Sequence, residues 1–143
     1  MSGPAERCSF CAILARTVPA EMVLDEPEVA AFLDHRPLFP GHVLVLPRAH
    51  HETLTDLPAG LIGPLFAATQ RVAAAVVEAT GAAGSFVAVN NRVSQSVPHL
   101  HVHVVPRRPK DGLRGFFWPR GRYADGEAAA VADAIRAALA ALG

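Results

Sequence analysis

Residues 98–107 read PHLHVHVVPR, and three histidines alternate there with apolar residues. A β-strand sends successive side chains to opposite faces, so residues two apart share a face. The apolar positions between the histidines are Leu100, Val102 and Val104. We therefore expect one strand that carries His99, His101 and His103 on one face and core residues on the other.

The rest of the chain supplies partners for this strand. Turn residues and apolar spacing predict four further short strands, a long helix with Asp56 as N-cap and Gly81 as stop, and a C-terminal helix. The strands are Met22–Leu24, Val29–Asp34, His42–Leu46 and Ser85–Asn90, the long helix is Asp56–Thr80, and the terminal helices are Cys8–Ala15 and Asp125–Leu142. This pattern predicts an α+β fold, a five-stranded antiparallel sheet with helices on one face.

A length of 143 residues predicts a single domain, 1–143, with an N-terminal segment at 1–20 and a variable C-terminal segment at 107–143. Hydrophobic residues make up 51% of the chain, yet no uninterrupted apolar run approaches the ~18 residues of a membrane span. Residues 1–7 lack the layout of a signal peptide. We expect a cytoplasmic protein with reduced cysteines and no membrane partner.

The histidine row has three interpretations. A neutral imidazole can attack phosphorus while its neighbours donate hydrogen bonds to phosphate oxygens. Alternatively, the three rings could chelate one zinc ion and leave a position for an activated water, as in a zinc hydrolase. The third interpretation is a polar sheet face whose histidines are satisfied by hydrogen bonds.

Cys8 and Cys11 form a Cys-x-x-Cys pair with the spacing of zinc ligands. One such pair supplies two of four ligands, so imidazoles must complete a site. A thioredoxin-like redox pair is an alternative, but the strand expected before it is missing. Two inert buried thiols are the other alternative.

Residues 107–123 combine six cations with four aromatic residues and one acid. Such a mixture can bind phosphates and stack on bases, so a nucleic-acid surface is one interpretation. The whole chain has 13 acidic and 13 basic residues, however, so no net field attracts nucleic acid. We favour aromatic residues packed on the sheet or on a partner subunit.

The run PHLHVHVVPR resembles the His-φ-His-φ-His-φ-φ signature (φ, apolar) of the histidine-triad (HIT) superfamily of nucleotide hydrolases and transferases. Residues 32–34 with Pro37, then 40–50 (PGHVLVLPRAH), resemble that family's ribose loop and following strand. Asn90 and residues 95–97 resemble the segment before its triad. The resemblance extends from Cys8 to about Arg107, and it implies a homodimer whose sheet continues across the interface.

The resemblance also implies roles for individual residues. His101 attacks the α-phosphorus of a purine nucleoside phosphoramidate, dinucleoside polyphosphate or related nucleotide, and forms a nucleotidyl-histidine that water hydrolyses. His103 lies beside the phosphate, and His42 fixes the hydrogen bonding of the histidines. The expected substrate-binding residues are Asp34 at the ribose, Asn90, Gln95, Ser96 and His103. Asp34 could instead cap a turn, and His42 could be a satisfied strand histidine.

A branch of the same family carries an N-terminal cysteine pair, and the resemblance implies a structural zinc ion held by Cys8, Cys11, His50 and His99. His51 is the competing ligand for His50. Such a site takes His99 out of the chemistry. Besides the nucleotide hydrolase, two other functions stay open at this point: a zinc hydrolase, and a non-catalytic nucleotide-binding or scaffold module. The identity of the base and of the leaving group also stays open.

Overall fold

A computed structural model describes residues 3–113 and 121–142. Its sheet has five antiparallel strands in the order β1-β2-β3-β5-β4. The strands are β1 Met22–Asp25, β2 Val29–Leu33, β3 Val43–Pro47, β4 Gly84–Val89 and β5 Val102–Arg107, and the helices are α1 Ser9–Leu14, α2 Ala59–Thr80 and α3 Glu127–Leu142. The predicted α+β class, the five strands and the long and C-terminal helices are confirmed.

Helix α2 covers one face of the sheet. Leu65, Ala68, Val72 and Val76 on this helix are buried in one apolar cluster with strand residues and Leu100. The helix ends where predicted, because Gly81 adopts the left-handed conformation at φ 68°. By length and composition alone α2 could span a membrane. Its buried face, however, packs as that of a core helix.

The predicted start of α2 is wrong. Asp56 ends a short 3-10 helix, Leu54–Asp56, and its carboxylate accepts hydrogen bonds from the Thr53 backbone N–H (3.0 Å) and hydroxyl (2.7 Å). α2 begins three residues later, after Pro58. The Asp56 side chain is a capping group, as predicted, but it caps a local turn and not the long helix.

Helix α1 packs on the opposite face of the sheet, so the expectation of helices on one face alone is wrong. Phe10 is buried beside Phe32, Leu44 and Leu46, and its ring meets that of Phe32 edge to face at 5.3 Å between centroids. Alternate residues of β2 and β3 therefore face two different helices. The histidine face of the sheet is the one that α1 covers.

The prediction that all three histidines lie on one strand is also wrong, because β5 starts at Val102. Before it, the Leu100 N–H donates to the His51 carbonyl (2.7 Å), and the His99 N–H donates to the Val97 carbonyl (2.8 Å). These bonds take the backbone out of the sheet ladder. The alternation survives, since Leu100, Val102 and Val104 all join the α2 core.

Contacts divide the chain into two compact units, residues 1–111 and 112–143. The second contains α3, whose apolar side chains Val131, Ile135 and Leu139 are exposed. Residues 114–120 lie outside the described residues, and they include three of the four aromatic residues of the basic aromatic segment at 107–123. The single-domain organisation stays a prediction.

Candidate active site

Two cysteines and two histidines converge at the N-terminal end of α1. The Sγ atoms of Cys8 and Cys11 each lie 3.5 Å from His99 Nδ1, and Cys11 Sγ lies 3.5 Å from His50 Nδ1. All four candidate ligand atoms are within 4.8 Å of one another. A tetrahedral zinc ion with Zn–S of ~2.3 Å and Zn–N of ~2.05 Å sets sulfur and nitrogen roughly 3.5 Å apart. These four residues therefore fit zinc.

The tautomer of His99 suits this site. Its Nε2–H donates to the Pro47 carbonyl at 2.8 Å, and burial lowers the pKa of His99 to about 4. The ring is therefore neutral at pH 7, and the Nδ1 lone pair faces both sulfurs. A ring N–H held by a backbone carbonyl is the usual support of a metal-bound histidine. His99 faces the cysteines, so the three histidines do not form one ligand set.

The cysteines need a cation if both are to ionise. Burial and the neighbouring Cys8 thiol raise the pKa of Cys11 to about 11. Zinc binds thiolates and offsets that cost. The structure also separates the competing histidines, because His50 joins the cluster while His51 uses its backbone carbonyl to hold Leu100.

A cavity of about 610 Å³ lies on the histidine face of the sheet, next to this cluster. His101, His103, Asp34 and Ser96 line its polar side. Its other walls come from α1, the turn after it, strands β2 and β3, the turn after β2 and the loop before β5. They are Ser9, Phe10, Ile13, Val18, Pro19, Ala20, Glu21, Phe32, Leu33, His35, Leu44 and Val97. A cavity of this size, mostly apolar with a few convergent polar groups, suits a small-molecule ligand.

His101 is held as a neutral ring with one free lone pair. Its Nδ1–H donates to the His99 carbonyl at 2.7 Å, which leaves Nε2 unprotonated. Burial lowers the pKa of His101 below its ordinary value, so this form persists at neutral pH. Phe10 packs edge to face on the ring at 4.9 Å between centroids. The geometry presents Nε2 as a nucleophile.

His103 has the opposite arrangement, set by a chain of hydrogen bonds. The Leu38 backbone N–H donates to His42 Nδ1 (3.0 Å), so His42 carries its proton on Nε2 and donates it to His103 Nδ1 (2.9 Å). Burial and the adjacent rings of His101 and His42 lower the pKa of His103 to about 4. His103 is therefore neutral, with its remaining proton on Nε2, as a hydrogen-bond donor.

Asp34 has a structural bond and a cavity position. One carboxylate oxygen accepts the Arg36 N–H at 2.9 Å, and the other lies 3.8 Å from His42 Nε2. Asp34, His42 and His103 are close enough to hold a metal ion. The Leu38 N–H, however, donates to His42 Nδ1, so the His42 proton is on Nε2. Nε2 is the atom near Asp34 and His103, and it has no lone pair for a metal ion. Asp34 thus caps the turn, as one interpretation predicted, and also lines the cavity.

Asn90 and Gln95 do not line the cavity. The Gln95 amide donates to the Glu52 carbonyl (2.6 Å), and its oxygen accepts the Arg92 N–H (2.7 Å). Both ends of this side chain brace the loop that carries Ser96. The substrate-binding role expected of Asn90 and Gln95 stays a prediction.

Sequence reasoning missed the walls that α1 contributes. Ser9, Phe10 and Ile13 line the cavity, and Phe10 touches the rings of both His99 and His101. The available signal was the position of Phe10 inside the Cys-x-x-Cys pair. If those cysteines share a metal site with His99, then the residue between them must lie near the histidines.

The fold and this site define a histidine-triad protein, with alternate imidazoles at a nucleotide-sized cavity on a five-stranded sheet. The sequence-family model of the HIT domain matches residues 15–110 of this chain. The chain belongs to this family of nucleotide-binding hydrolases and transferases.

Relatives and solved structures agree with this assignment. The HIT-like protein Rv1262c of Mycobacterium tuberculosis is 39% identical over 108 residues, 74% of this chain and 75% of that protein. The structure of SMU.412c from Streptococcus mutans has 30% identity and a TM-score of 0.86, over 93% of this chain and 85% of the other. A zinc-bound histidine-triad protein from Mycobacterium smegmatis has 34% identity and a TM-score of 0.72, over 93% and 99%.

Two relatives carry named activities. The adenylylsulfatase HINT3 of Arabidopsis thaliana is 31% identical over 74% of this chain and 55% of that protein. The asymmetrical bis(5'-nucleosyl)-tetraphosphatase of Schizosaccharomyces pombe is 36% identical over 57% of this chain and 46% of that protein. Members of the family therefore include nucleotide hydrolases.

Proposed function

We propose that this protein is a hydrolase or nucleotidyl transferase that acts at the α-phosphate of a purine nucleotide through a covalent nucleotidyl-His101 intermediate. The substrate is a nucleoside phosphoramidate, a dinucleoside polyphosphate or a related nucleotide. One observation carries the proposal. His101 lines the cavity as a neutral ring whose Nδ1–H is fixed on the His99 carbonyl, so Nε2 is free to attack.

The reaction has two displacements at one phosphorus. In the first, His101 Nε2 forms a bond to the α-phosphorus as the bond to the leaving group breaks. The leaving group takes the electron pair and, where it is an amine, a proton from solvent. In the second, water attacks the same phosphorus, the N–P bond breaks, and its electron pair returns to Nε2. Water gives one proton to solvent, and the products are a nucleoside monophosphate and the leaving group. An acceptor other than water makes the reaction a transfer.

The neighbouring polar groups stabilise this path. The His103 ring is neutral and carries its proton on Nε2. This N–H is a donor for a non-bridging phosphate oxygen. Asp34 offers carboxylate oxygen to the ribose hydroxyls, since an ionised carboxylate only accepts hydrogen bonds. The apolar walls around Ile13, Phe32 and Leu44 suit a base.

We further propose a structural zinc ion at Cys8, Cys11, His50 and His99. When bound, it neutralises two thiolates and ties α1 to the segment before β5. Phe10 on α1 then holds its place against His101. The zinc-bound structural relative and the four convergent ligand atoms support this proposal.

The homodimer belongs to the same proposal. Strand β4 is an edge of the sheet, and Val87 on it is 45% exposed. A second copy of the chain could pair with that edge and continue the sheet. A cytoplasmic location stays a prediction.

The decisive experiment uses His101→Ala. Wild type should release adenosine monophosphate from adenosine 5'-phosphoramidate or a dinucleoside polyphosphate and form an acid-labile adduct, seen by mass spectrometry after a rapid quench. His101→Ala should show no adduct, and kcat should fall at least ~1,000-fold, because the nucleophile is gone.

His51→Ala is the matched control, since this histidine lies outside the cavity lining and the cysteine cluster. It should retain the adduct and near-normal kcat. Normal turnover by His101→Ala would refute the mechanism. Nucleotide binding by wild type without product would instead identify a non-catalytic module.

A further inference from the structure

A second cleft, of about 390 Å³, adjoins the cavity at His101. Ser9, Ser96 and Val97 line both, so these residues mark the passage between them. The remaining walls of this side cleft are Pro4, Arg7, Cys8, His50, Glu52 and Pro98. The proposed function assigns no role to the side cleft.

The proposed reaction needs a space for its leaving group. In a displacement at phosphorus, the attacking and leaving atoms lie roughly in line on opposite sides of the phosphorus. With His101 Nε2 as attacking atom and the nucleoside along the apolar part of the cavity, the leaving group needs a separate space. The passage at Ser9 and Ser96 opens into one. Both hydroxyls are exposed and form no hydrogen bond within the described residues.

Arg7 gives the side cleft its cation. Its side chain is exposed and makes no ion pair within residues 3–113 and 121–142, whereas Arg16, Arg48 and Arg71 are each paired with an acid. Its backbone is held in place by the bond from the Arg7 N–H to the Gly3 carbonyl (3.3 Å). The next residue, Cys8, donates its N–H to the Ala5 carbonyl at 3.2 Å. The backbone that carries the Arg7 side chain is therefore part of a hydrogen-bonded turn.

We propose that the side cleft is the leaving-group subsite, and that Arg7 selects substrates whose leaving group is an oxyanion, either a phosphate chain or sulfate. This inference rests on the proposed function and adds the substrate class to it. A guanidinium forms paired, charge-assisted hydrogen bonds to phosphate and sulfate oxygens. It stabilises the negative charge that the leaving group gains as the bond to phosphorus breaks. An amine leaving group gains no such benefit.

Glu52 lines the same cleft with the opposite charge. Its carboxylate repels an anion in the cleft, so it opposes the effect of Arg7 on anionic leaving groups. Arg7→Ala and Glu52→Gln should change the preference for anionic leaving groups in opposite directions.

The test compares kcat/KM on three adenosine substrates that differ in the group released. Adenosine 5'-phosphosulfate releases sulfate, diadenosine tetraphosphate releases a nucleotide, and adenosine 5'-phosphoramidate releases ammonia. Arg7→Ala should lower kcat/KM about tenfold for the two anionic leaving groups and less than about twofold for the phosphoramidate, as expected for one charge-assisted contact. A greater loss for the tetraphosphate than for the sulfate identifies a phosphate chain as the preferred anion, and the reverse identifies sulfate.

Three variants serve as comparisons. Arg7→Lys should keep part of the preference, because the charge remains without the paired geometry. Glu52→Gln should raise it. Arg16→Ala removes the same charge from a residue paired with Asp25 outside both clefts, and should leave all three rates unchanged.

Equal losses of kcat/KM on all three substrates would show that Arg7 is only structural, and unchanged kcat/KM on all three would show that it does not contact the leaving group. Either result overturns the subsite while the proposed function stands. If wild type turns over none of the three, the proposed function fails, and the subsite fails with it.

Discussion

The three triad histidines have their proton positions fixed by different partners, and main-chain atoms fix two of the three directly. The Pro47 carbonyl holds the Nε2 proton of His99, and the His99 carbonyl holds the Nδ1 proton of His101. For His103 the effect is indirect: the Leu38 N–H donates to His42, and His42 in turn donates to His103 Nδ1. Three histidines at equivalent positions of the motif therefore offer different free atoms, which the proposed function uses as a ligand, a nucleophile and a donor.

A pH dependence follows from these neutral rings. Burial lowers the pKa of His103 to about 4 and holds that of His101 below its ordinary value, so both rings protonate at a lower pH than a free histidine. We expect the acid decline of kcat/KM to be centred below about pH 6.5, because protonation blocks Nε2 of His101.

The measurement is a pH–rate profile with a dinucleoside polyphosphate, which has no terminal phosphate monoester titrating near pH ~6. An acid limb centred at or above about 6.5, the value of an unperturbed histidine, would contradict buried neutral imidazoles.

At the scale of elements, α1 links the cysteine cluster to the cavity. Cys8 and Cys11 flank Phe10, which packs on both His99 and His101. We expect one zinc ion per chain, lost in both Cys8→Ser and His99→Ala and kept in His51→Ala. Metal content by atomic absorption, with the thermal midpoint of each variant, checks this. The midpoint should fall in the two zinc-free variants, because binding to the folded state alone stabilises it.

Zinc retained by both Cys8→Ser and His99→Ala would refute the four-ligand assignment. Loss of zinc in His51→Ala with retention in His50→Ala would move the fourth ligand to the neighbouring residue.

The sequence predicts elements best where local chemistry decides them. Gly81 ends α2 because a left-handed residue is needed there, and apolar alternation places Leu100 and Val102 in the core. The start of β5 depends instead on distant partners, the carbonyls of Pro47 and His51, which no local pattern reveals. The walls that α1 brings to the cavity follow only when the cysteines that flank Phe10 are assigned to one metal site with His99, because the α1 residues by themselves do not indicate them.

At the scale of the whole molecule, β4 is the edge strand through which the proposed dimer would pair. Val87 pairs with Val104 in the sheet, and its side chain is 45% exposed. We expect wild type to sediment as a dimer and Val87→Asp to shift it to monomer, because a buried unpaired carboxylate opposes association. Analytical ultracentrifugation over a range of concentrations measures this.

Val93→Asp makes the same chemical change in the loop after β4, where Val93 is 81% exposed, and should leave the dimer intact. A wild-type monomer at all concentrations, or a dimer unaffected by Val87→Asp, would contradict pairing through β4.

The proton arrangement of the triad has a consequence for mutational tolerance. The atoms that set it directly, two carbonyl oxygens and one amide hydrogen, belong to the backbone, so substitutions at Pro47 or Leu38 that preserve the chain path do not remove them. Cavity walls such as Ile13 and Leu44 can diverge independently of the acid–base state of the rings. A library randomised at these walls should therefore alter which nucleotides are accepted more readily than it abolishes the chemistry, which makes the scaffold a good starting point for directed evolution.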